Sequence, residues 1–284
     1  MVLIDNPGFN LHLAKKIHAL KIPIVYYIAP QVWAWAPKRV LKIKRTVKKV
    51  LVVFEFEKKI YEDQGIPVAW VGHPLKDIVA QELSSQTDHP KGRTVALLPG
   101  SRKGELKMLL SAFLKSAEKI SKRLPAIHFA LIKSPTMHES FYKKMLEPLE
   151  RKGIKIELVQ KNSYAAIRSS EIAIVCSGTA TLECALLGVP MIIAYKGSFL
   201  SYVTAKSLVK LPYIGLPNIV LGEKKFPELL QYDATAGKIA DTALKILEDE
   251  KWQSTMKADL AEVSRRLGEP GAIDRTAREI LNML

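Results

Sequence analysis

The sequence predicts an α/β protein of two doubly wound, Rossmann-like domains with parallel sheets, the first of them incomplete. Three observations carry that reading. Short apolar runs alternate with helix-period segments along nearly the whole chain, the signature of strands joined by crossover helices. With 284 residues and 48% hydrophobic content, the chain can fill two cores. One polar, turn-rich stretch, Ser84-Ser-Gln-Thr-Asp-His-Pro-Lys-Gly92, separates two such series. The expected division is therefore residues 1–83, a linker at 84–92, a second domain at 93–270, and a last helix at 271–284 with room to pack back on the first domain.

Strands are expected in the first series at Val2–Ile4, Pro23–Ile28, Val50–Val53 and Val68–Val71. The first runs directly into Asp5-Asn-Pro-Gly-Phe-Asn10, which puts Asp5 at a strand's carboxyl end. That is a usual place for a functional carboxylate in an open α/β sheet, where it can take a proton as general base. A lone Asp before Asn-Pro is also a common turn initiator. Further on, Pro30-Gln-Val-Trp-Ala-Trp-Ala-Pro37 sets Trp33 and Trp35 between prolines. This makes a poor strand core but a plausible interfacial anchor. It leads into Lys38, Arg39, Lys42, Lys44, Arg45, Lys48 and Lys49, a run that reads equally as a solvated helix face. His73, in Val71-Gly-His-Pro74, is expected to be a structural imidazole. Four strands before residue 84 are fewer than a doubly wound domain normally has, hence the expectation of an incomplete first domain.

Strands of the second series are expected at Thr94–Leu98, Ile127–Ile132, Ile154–Leu158, Ile172–Val175 and Pro190–Ala194, with helices from about Ala234 onward. Its first strand ends in Leu97-Leu-Pro-Gly-Ser-Arg102. Pro99 and Gly100 shape a turn, Ser101 is placed to cap the next helix, and Glu105 completes a capping-box-like spacing. Arg102 could pair with a diphosphate or be an ordinary arginine at a helix start. The segment Ile172-Ala-Ile-Val-Cys-Ser-Gly-Thr-Ala-Thr-Leu-Glu183 reads as a buried strand, a glycine turn at Ser177-Gly178-Thr179, and a helix capped by Ser177 or Thr179. A helix start at a strand's carboxyl end favours anions, and Glu183, one turn in, could accept hydrogen bonds from ribose hydroxyls. Asn218, in Tyr213-Ile-Gly-Leu-Pro-Asn218, could bind a ligand or simply satisfy its own loop; Lys161-Asn-Ser-Tyr164 is a weak candidate to flank a base.

Composition narrows the partners. Forty-three basic against 28 acidic residues give a formal net charge of +15, a field that attracts phosphorylated substrates, an acidic membrane face or nucleic acid. Cys176 and Cys184 alone cannot make a disulfide framework, so a reducing cytoplasm fits best. No metal-ligand spacing, Walker loop or Gly-x-Ser-x-Gly is present, and the opening residues lack the pattern of a secretory signal.

Assembled in order, Asp5-x-Pro-x-Phe-Asn10, Tyr27-Ile-Ala-Pro-Gln-Val-Trp-Ala-Trp35, Val71-Gly-His-Pro74, Leu98-Pro-Gly-Ser-Arg102, Ser177-Gly-Thr-Ala-Thr-Leu-Glu183 and Leu216-Pro-Asn218 closely resemble the lipid-A-disaccharide synthase family over essentially the whole chain. The resemblance implies the GT-B fold and an inverting transfer of a sugar from UDP-diacylglucosamine to the 6-hydroxyl of diacylglucosamine 1-phosphate, with no cofactor or metal. It implies catalytic roles for Asp5 and Arg102. A UDP-sugar site would comprise Gly100, Ser101, Arg102, Ser177, Gly178, Thr179, Glu183 and Asn218. Trp33, Trp35, Lys38 and Arg39 would lie toward the acceptor and the anionic inner face of the cytoplasmic membrane. No nucleic-acid partner is implied, and a homodimer is kept among the possible states. Gly8 stands where the family usually has a second Asp. An amino-terminal portion of roughly a hundred residues is expected to be missing. The competing readings are another UDP-N-acetylhexosamine transferase or epimerase of peptidoglycan type, and an inactive basic membrane-binding fragment.

Overall fold

The structure, a computed structural model, describes residues 1–34, 37–85, 92–197 and 212–283. Trp35, most of the 84–92 stretch and the segment ahead of Tyr213 lie outside the described residues. The chain divides into two compact units, Met1–Ile78 with Arg265–Leu284, and Val79–Phe199 with Tyr213–Ser264.

In the first unit, β1 (Val2–Ile4), β2 (Val25–Tyr27), β3 (Lys49–Val52) and β4 (Val68–Trp70) form one sheet in the order β1-β2-β3-β4. All pairs are parallel, with Leu3 opposite Tyr26 and Tyr26 opposite Val50. The order never reverses among the described residues, so this sheet is one half of a doubly wound pattern with β1 at its edge. Helices α1 (Pro7–Ala19), α2 (Arg39–Thr46) and α3 (Glu55–Glu62) connect successive strands. Ile24, Tyr26, Ile43, Val50, Val52 and Tyr61 share the buried core beneath them.

Helix α4 (Leu75–Ser85) leads out of this unit, and α12 (Ala272–Leu281) belongs to it. Both oxygens of the Asp77 carboxylate cap α12, accepting from the backbone N–H of Gly271 at 2.6 Å and of Ile273 at 2.9 Å. A carboxylate at a helix N-terminus satisfies orphan donors and complements the dipole. The Arg275 guanidinium donates to the carbonyls of Val71, Pro270 and Glu269.

The second unit carries β5 (Thr94–Leu98), β6 (His128–Ile132), β7 (Ile156–Val159), β8 (Ile172–Cys176), β9 (Met191–Tyr195) and β10 (Glu228–Leu230). Their order is β10-β9-β8-β5-β6-β7, all parallel. The first strand of the unit is thus central, and the winding reverses between β5 and β8. Ligands of open α/β sheets bind at the carboxyl ends of the strands at such a reversal. The helices are α5 (Lys103–Arg123), α6 (Glu139–Glu150), α7 (Ser163–Arg168), α8 (Ala180–Leu186), α9 (Leu216–Leu221), α10 (Ala236–Glu248) and α11 (Glu250–Arg266). Helix α5 shows why its sequence is helical. Leu106, Leu109, Leu110, Phe113, Leu114, Ala117 and Ile120 are all buried at helical spacing, while Glu105 begins the helix and Lys122 and Arg123 end it. All nine expected strands are present within a few residues of their expected ends. β10 is an addition, its three residues lacking any β-branched side chain.

Candidate functional site

Turns after β5 and β8 lie side by side at the switch point of the second unit. Gly100 holds φ at +109°, and a Cβ there would come within 2.8 Å of Glu105 Cβ and 3.4 Å of Cys176 Sγ. The first turn is therefore packed against the end of β8. Burial pushes the Cys176 thiol up to about 12, so it stays protonated and inert.

Glu105 organises the first turn. Its Oε2 accepts from the N–H groups of Ser101 at 3.0 Å and Arg102 at 3.1 Å, and its Oε1 from the Arg102 guanidinium at 2.8 Å. The expectation that Ser101 caps α5 is corrected: the N-cap is Arg102, and no side chain accepts there. A guanidinium has no acceptor, so only the Glu105 half of a capping box exists. Arg102 projects into solvent with 85% of its side chain exposed. On the other side of the turn, the hydroxyls of Ser134 and Thr136 both donate to the Ser101 carbonyl, at 2.9 and 2.6 Å.

In the second turn Gly178 adopts φ +151°, with open space where a side chain would stand. Capping of α8 by Ser177 or Thr179 is also corrected. Thr179 is itself helical (φ −57°, ψ −33°) and accepts no side-chain capping bond. The Ser177 hydroxyl instead donates to the Ile214 carbonyl at 3.1 Å, tying the turn to the 213–215 loop. Glu183 is largely buried, which raises its carboxyl above the usual range, opposed by a hydrogen bond from the Tyr164 hydroxyl. Tyr164, half of a weak sequence signal, is thus the group that holds Glu183. One such bond leaves a carboxylate with further acceptor capacity.

Asn218 does not offer its amide to a ligand. It is 0% exposed, its Nδ2 donates to Phe226 O at 3.0 Å and Glu228 Oε1 at 2.8 Å, and its Oδ1 accepts from the N–H groups of Lys225 and Phe226. Every hydrogen-bonding position of the amide is filled, so this expectation is corrected to a loop-building role. Sequence reasoning missed its partner, Glu228, whose carboxylate also accepts from Ile214 N and Gly215 N and so shapes the loop that Ser177 touches.

In the first unit, Asp5 and Asn6 follow β1 with φ of 47° and 41°. Two consecutive left-handed non-glycine residues store strain of about 1–2 kcal/mol each, reduced for Asp and Asn. The backbone is pinned by Asp5 N donating to Tyr27 O at 3.0 Å, and by Asn10 Nδ2 and Tyr26 OH donating to Asp5 O at 2.7 and 2.8 Å. The Asp5 carboxylate is exposed and has no hydrogen-bond or ion-pair partner among the described residues. Gly8 leaves ordinary room for a side chain, its nearest neighbour 3.9 Å from an ideal Cβ.

Trp33 is not a free anchor. It is half-buried, lies edge-on to Phe56 at 5.2 Å, and its indole N–H donates to Glu57 Oε1 at 2.8 Å. Glu57 is 3% exposed, and burial pushes its carboxyl up to about 7. This buried acid carried no sequence signal beyond its place in the first turn of α3. Lys38 is exposed and Arg39 half-buried at the start of α2, whose Leu41, Lys42, Lys44 and Arg45 face solvent. His73 is structural: Leu75 N donates to its Nδ1 at 3.2 Å, and burial lowers it to about 4. No metal-ligating cluster occurs among the described residues.

The parallel switch-point unit, the half-wound companion sheet and the family comparison define a UDP-sugar glycosyltransferase with the GT-B fold. The family model described as lipid-A-disaccharide synthetase matches residues 1–278, and the chain belongs to that family. It is 40% identical over 290 residues to the lipid-A-disaccharide synthase of Geobacter sulfurreducens, covering 100% of this chain and 75% of that protein. The corresponding enzyme of Nitrosococcus oceani is 38% identical over 286 residues, with 99% and 73% covered. Among solved structures, S. aureus MnaA with UDP aligns with a TM-score of 0.68 at 12% identity, over 100% of this chain and 76% of that one. The UDP-GlcNAc 2-epimerase of Neisseria meningitidis bound to UDP-GlcNAc gives 0.66 at 14%, over 99% and 76%. At that identity the likeness concerns the fold alone.

Proposed function

We propose that the chain transfers 2,3-diacylglucosamine from its UDP derivative to the 6-hydroxyl of 2,3-diacylglucosamine 1-phosphate, releasing UDP. Family membership over the full chain is the observation that carries this reading. The switch-point turns supply the donor chemistry. Arg102, exposed and held through its own backbone by Glu105, would meet the diphosphate and offset charge growing on the departing UDP. Ser177, Gly178 and Thr179 would approach the nucleotide closely, Gly178 because it carries no side chain, and Glu183 would accept from ribose hydroxyls.

In the transfer, the acceptor oxygen bonds to the sugar's anomeric carbon as the anomeric C–O bond to phosphate breaks. The electron pair leaves with UDP, and the hydroxyl proton goes to a general base. Asp5, exposed, without a hydrogen-bond or ion-pair partner among the described residues, and fixed at a strained strand end, is the residue we assign to that role. The solvent-facing cations of α2 would attract the anionic surface in which both acylated sugars reside, with Trp33 serving as a wall rather than an inserted anchor.

Incubation with both lipid precursors and mass detection of the disaccharide 1-phosphate tests the reading. We expect product, reduced about 10²–10⁴-fold in Asp5→Asn as befits loss of a general base. Full activity in that variant removes Asp5 from the mechanism. Binding of UDP with transfer only to unacylated acceptors overturns the substrate assignment.

A further inference from the structure

A cavity adjoins the turn after β5 on the side away from β8, where β6 is its neighbour. This cavity of about 740 Å³ is lined by Ser101, Arg102, Lys103, Thr136, Met137, His138, Ser140, Phe141 and Lys144. Its two walls are fastened before any ligand arrives. The Ser134 and Thr136 hydroxyls meet at 2.8 Å, and both donate to the Ser101 carbonyl, locking the β6–α6 loop to the β5–α5 turn.

The lining has two chemistries. Lys103 and Lys144 give it positive charge, beside an Arg102 whose guanidinium is paired with Glu105 at 2.8 Å, and no carboxylate belongs to the lining. The two acids nearest in sequence are already engaged: Glu105 by the N–H groups of its own turn and the Arg102 guanidinium, and Glu139 by Lys143 at 2.8 Å. Lys103 and Lys144 have no ion-pair partner among the described residues. Helices α5 and α6, 21 and 12 residues long, both begin at this rim and add their positive ends to the same field. Against this, Met137 and Phe141 are half-buried and give the cavity an apolar wall. A phosphate or sulfate ion would use the cations and leave that wall wet; a plain hydrocarbon would leave the cations without a counter-charge.

We propose that this cavity binds the phosphate head of a phosphorylated amphiphile, with the hydrocarbon lying along Met137 and Phe141. Lys103 and Lys144 would hold the phosphate from the outer rim, and the Thr136 and Ser140 hydroxyls lie within the same lining. The site itself does not depend on the donor assignment. An acylated sugar phosphate, such as the acceptor proposed above, and an anionic phospholipid headgroup share this chemistry; identifying the ligand with that acceptor rests on the proposed function.

The test is calorimetric titration of the full chain with dodecyl phosphate below its micelle concentration, beside inorganic phosphate and dodecyl maltoside. We expect saturable one-to-one binding of dodecyl phosphate, and binding at least about ten-fold weaker for inorganic phosphate, which cannot bury a chain. Lys144→Gln, an exposed position whose melting temperature is checked alongside, should weaken dodecyl phosphate about ten-fold, as loss of one charge-assisted contact does. Equal affinity in the native and Lys144→Gln proteins overturns the site. Inorganic phosphate binding as tightly as dodecyl phosphate, or dodecyl maltoside binding equally well, overturns the amphiphile.

Capture by phosphatidate vesicles assigns the source. A loss in Lys144→Gln parallel to the loss of dodecyl phosphate affinity marks a bilayer headgroup. Unchanged capture, with the soluble ligand still weakened, marks an individual lipid molecule. UDP titrated into the native chain is scored separately: its failure to bind would sink the nucleotide reading and leave the cavity result standing.

Discussion

At the scale of single residues, Glu57 and Asn218 show how burial settles roles that residue type leaves open. Glu57 is buried and accepts from the Trp33 indole, and burial lifts its carboxyl from 4.5 to about 7. The folded chain therefore holds a proton that the unfolded chain has lost across that interval, so this group's contribution to stability falls as pH rises from about 4.5 to about 7. Glu57→Gln stays neutral and keeps an acceptor for Trp33. Between about pH 5 and about pH 8 its stability should rise relative to the native protein by on the order of 2–3 kcal/mol, read by denaturant melts. His73, lowered to about 4, titrates in the opposite sense, and it cancels because both proteins carry it. A difference that does not change with pH would contradict a buried, titrating Glu57. Asn218→Ala should lower stability by about 2–4 kcal/mol, since it strands the buried N–H groups of Lys225 and Phe226 and removes a donor from Glu228. Neither role was legible in the sequence. An Asn in a Leu-Pro-Asn turn looks the same whether its amide faces a ligand or its own loop, and only the four filled bonds decide.

At the scale of elements, periodicity was informative where strands are fully buried on both faces, as in Thr94–Leu98 and Ile172–Cys176, whose near-continuous apolar runs leave little choice. It failed at β10, because Glu228-Leu-Leu230 is short and opens on a charge that is used internally. Caps were the other failure. Ser101 stands four residues before Glu105, one more than a capping box needs, and the N-cap falls one residue later at Arg102, with the Glu105 carboxylate accepting from two successive N–H groups. The turn depends on Gly100 for two separate reasons, its positive φ and its contact with Glu105. Gly100→Ala should therefore destabilise by at least about 1–2 kcal/mol from backbone conformation alone, with the clash added. It should also weaken UDP binding, because Ser101 and Arg102 would have to move. A variant with unchanged melting temperature and UDP affinity would show that the turn is not rigid.

At the scale of the molecule, the sequence made the sheet class, the two switch-point turns and the excess of basic charge legible, because each is a local or compositional property. It did not reveal which candidate residues converge, since convergence depends on strand order. The order β8-β5-β6 sets Ser177–Thr179 on one side of Arg102 and the Met137–Phe141 cavity on the other. The chain spans about three quarters of the length of its relatives, 75% of the Geobacter enzyme. The residues proposed to hold the donor, from Arg102 to Glu183, all belong to one unit, which makes it the most direct place to test the central claim that the switch-point turns hold UDP. The measurement is calorimetric titration of the native chain, Arg102→Ala and Glu183→Ala with UDP, with uridine alongside. We expect one site, weakened about ten-fold or more in each variant, with Arg102→Ala losing the preference for UDP over uridine and Glu183→Ala retaining it. UDP binding unchanged in both variants, or absent from a chain that melts cooperatively, would contradict the assignment of the donor site.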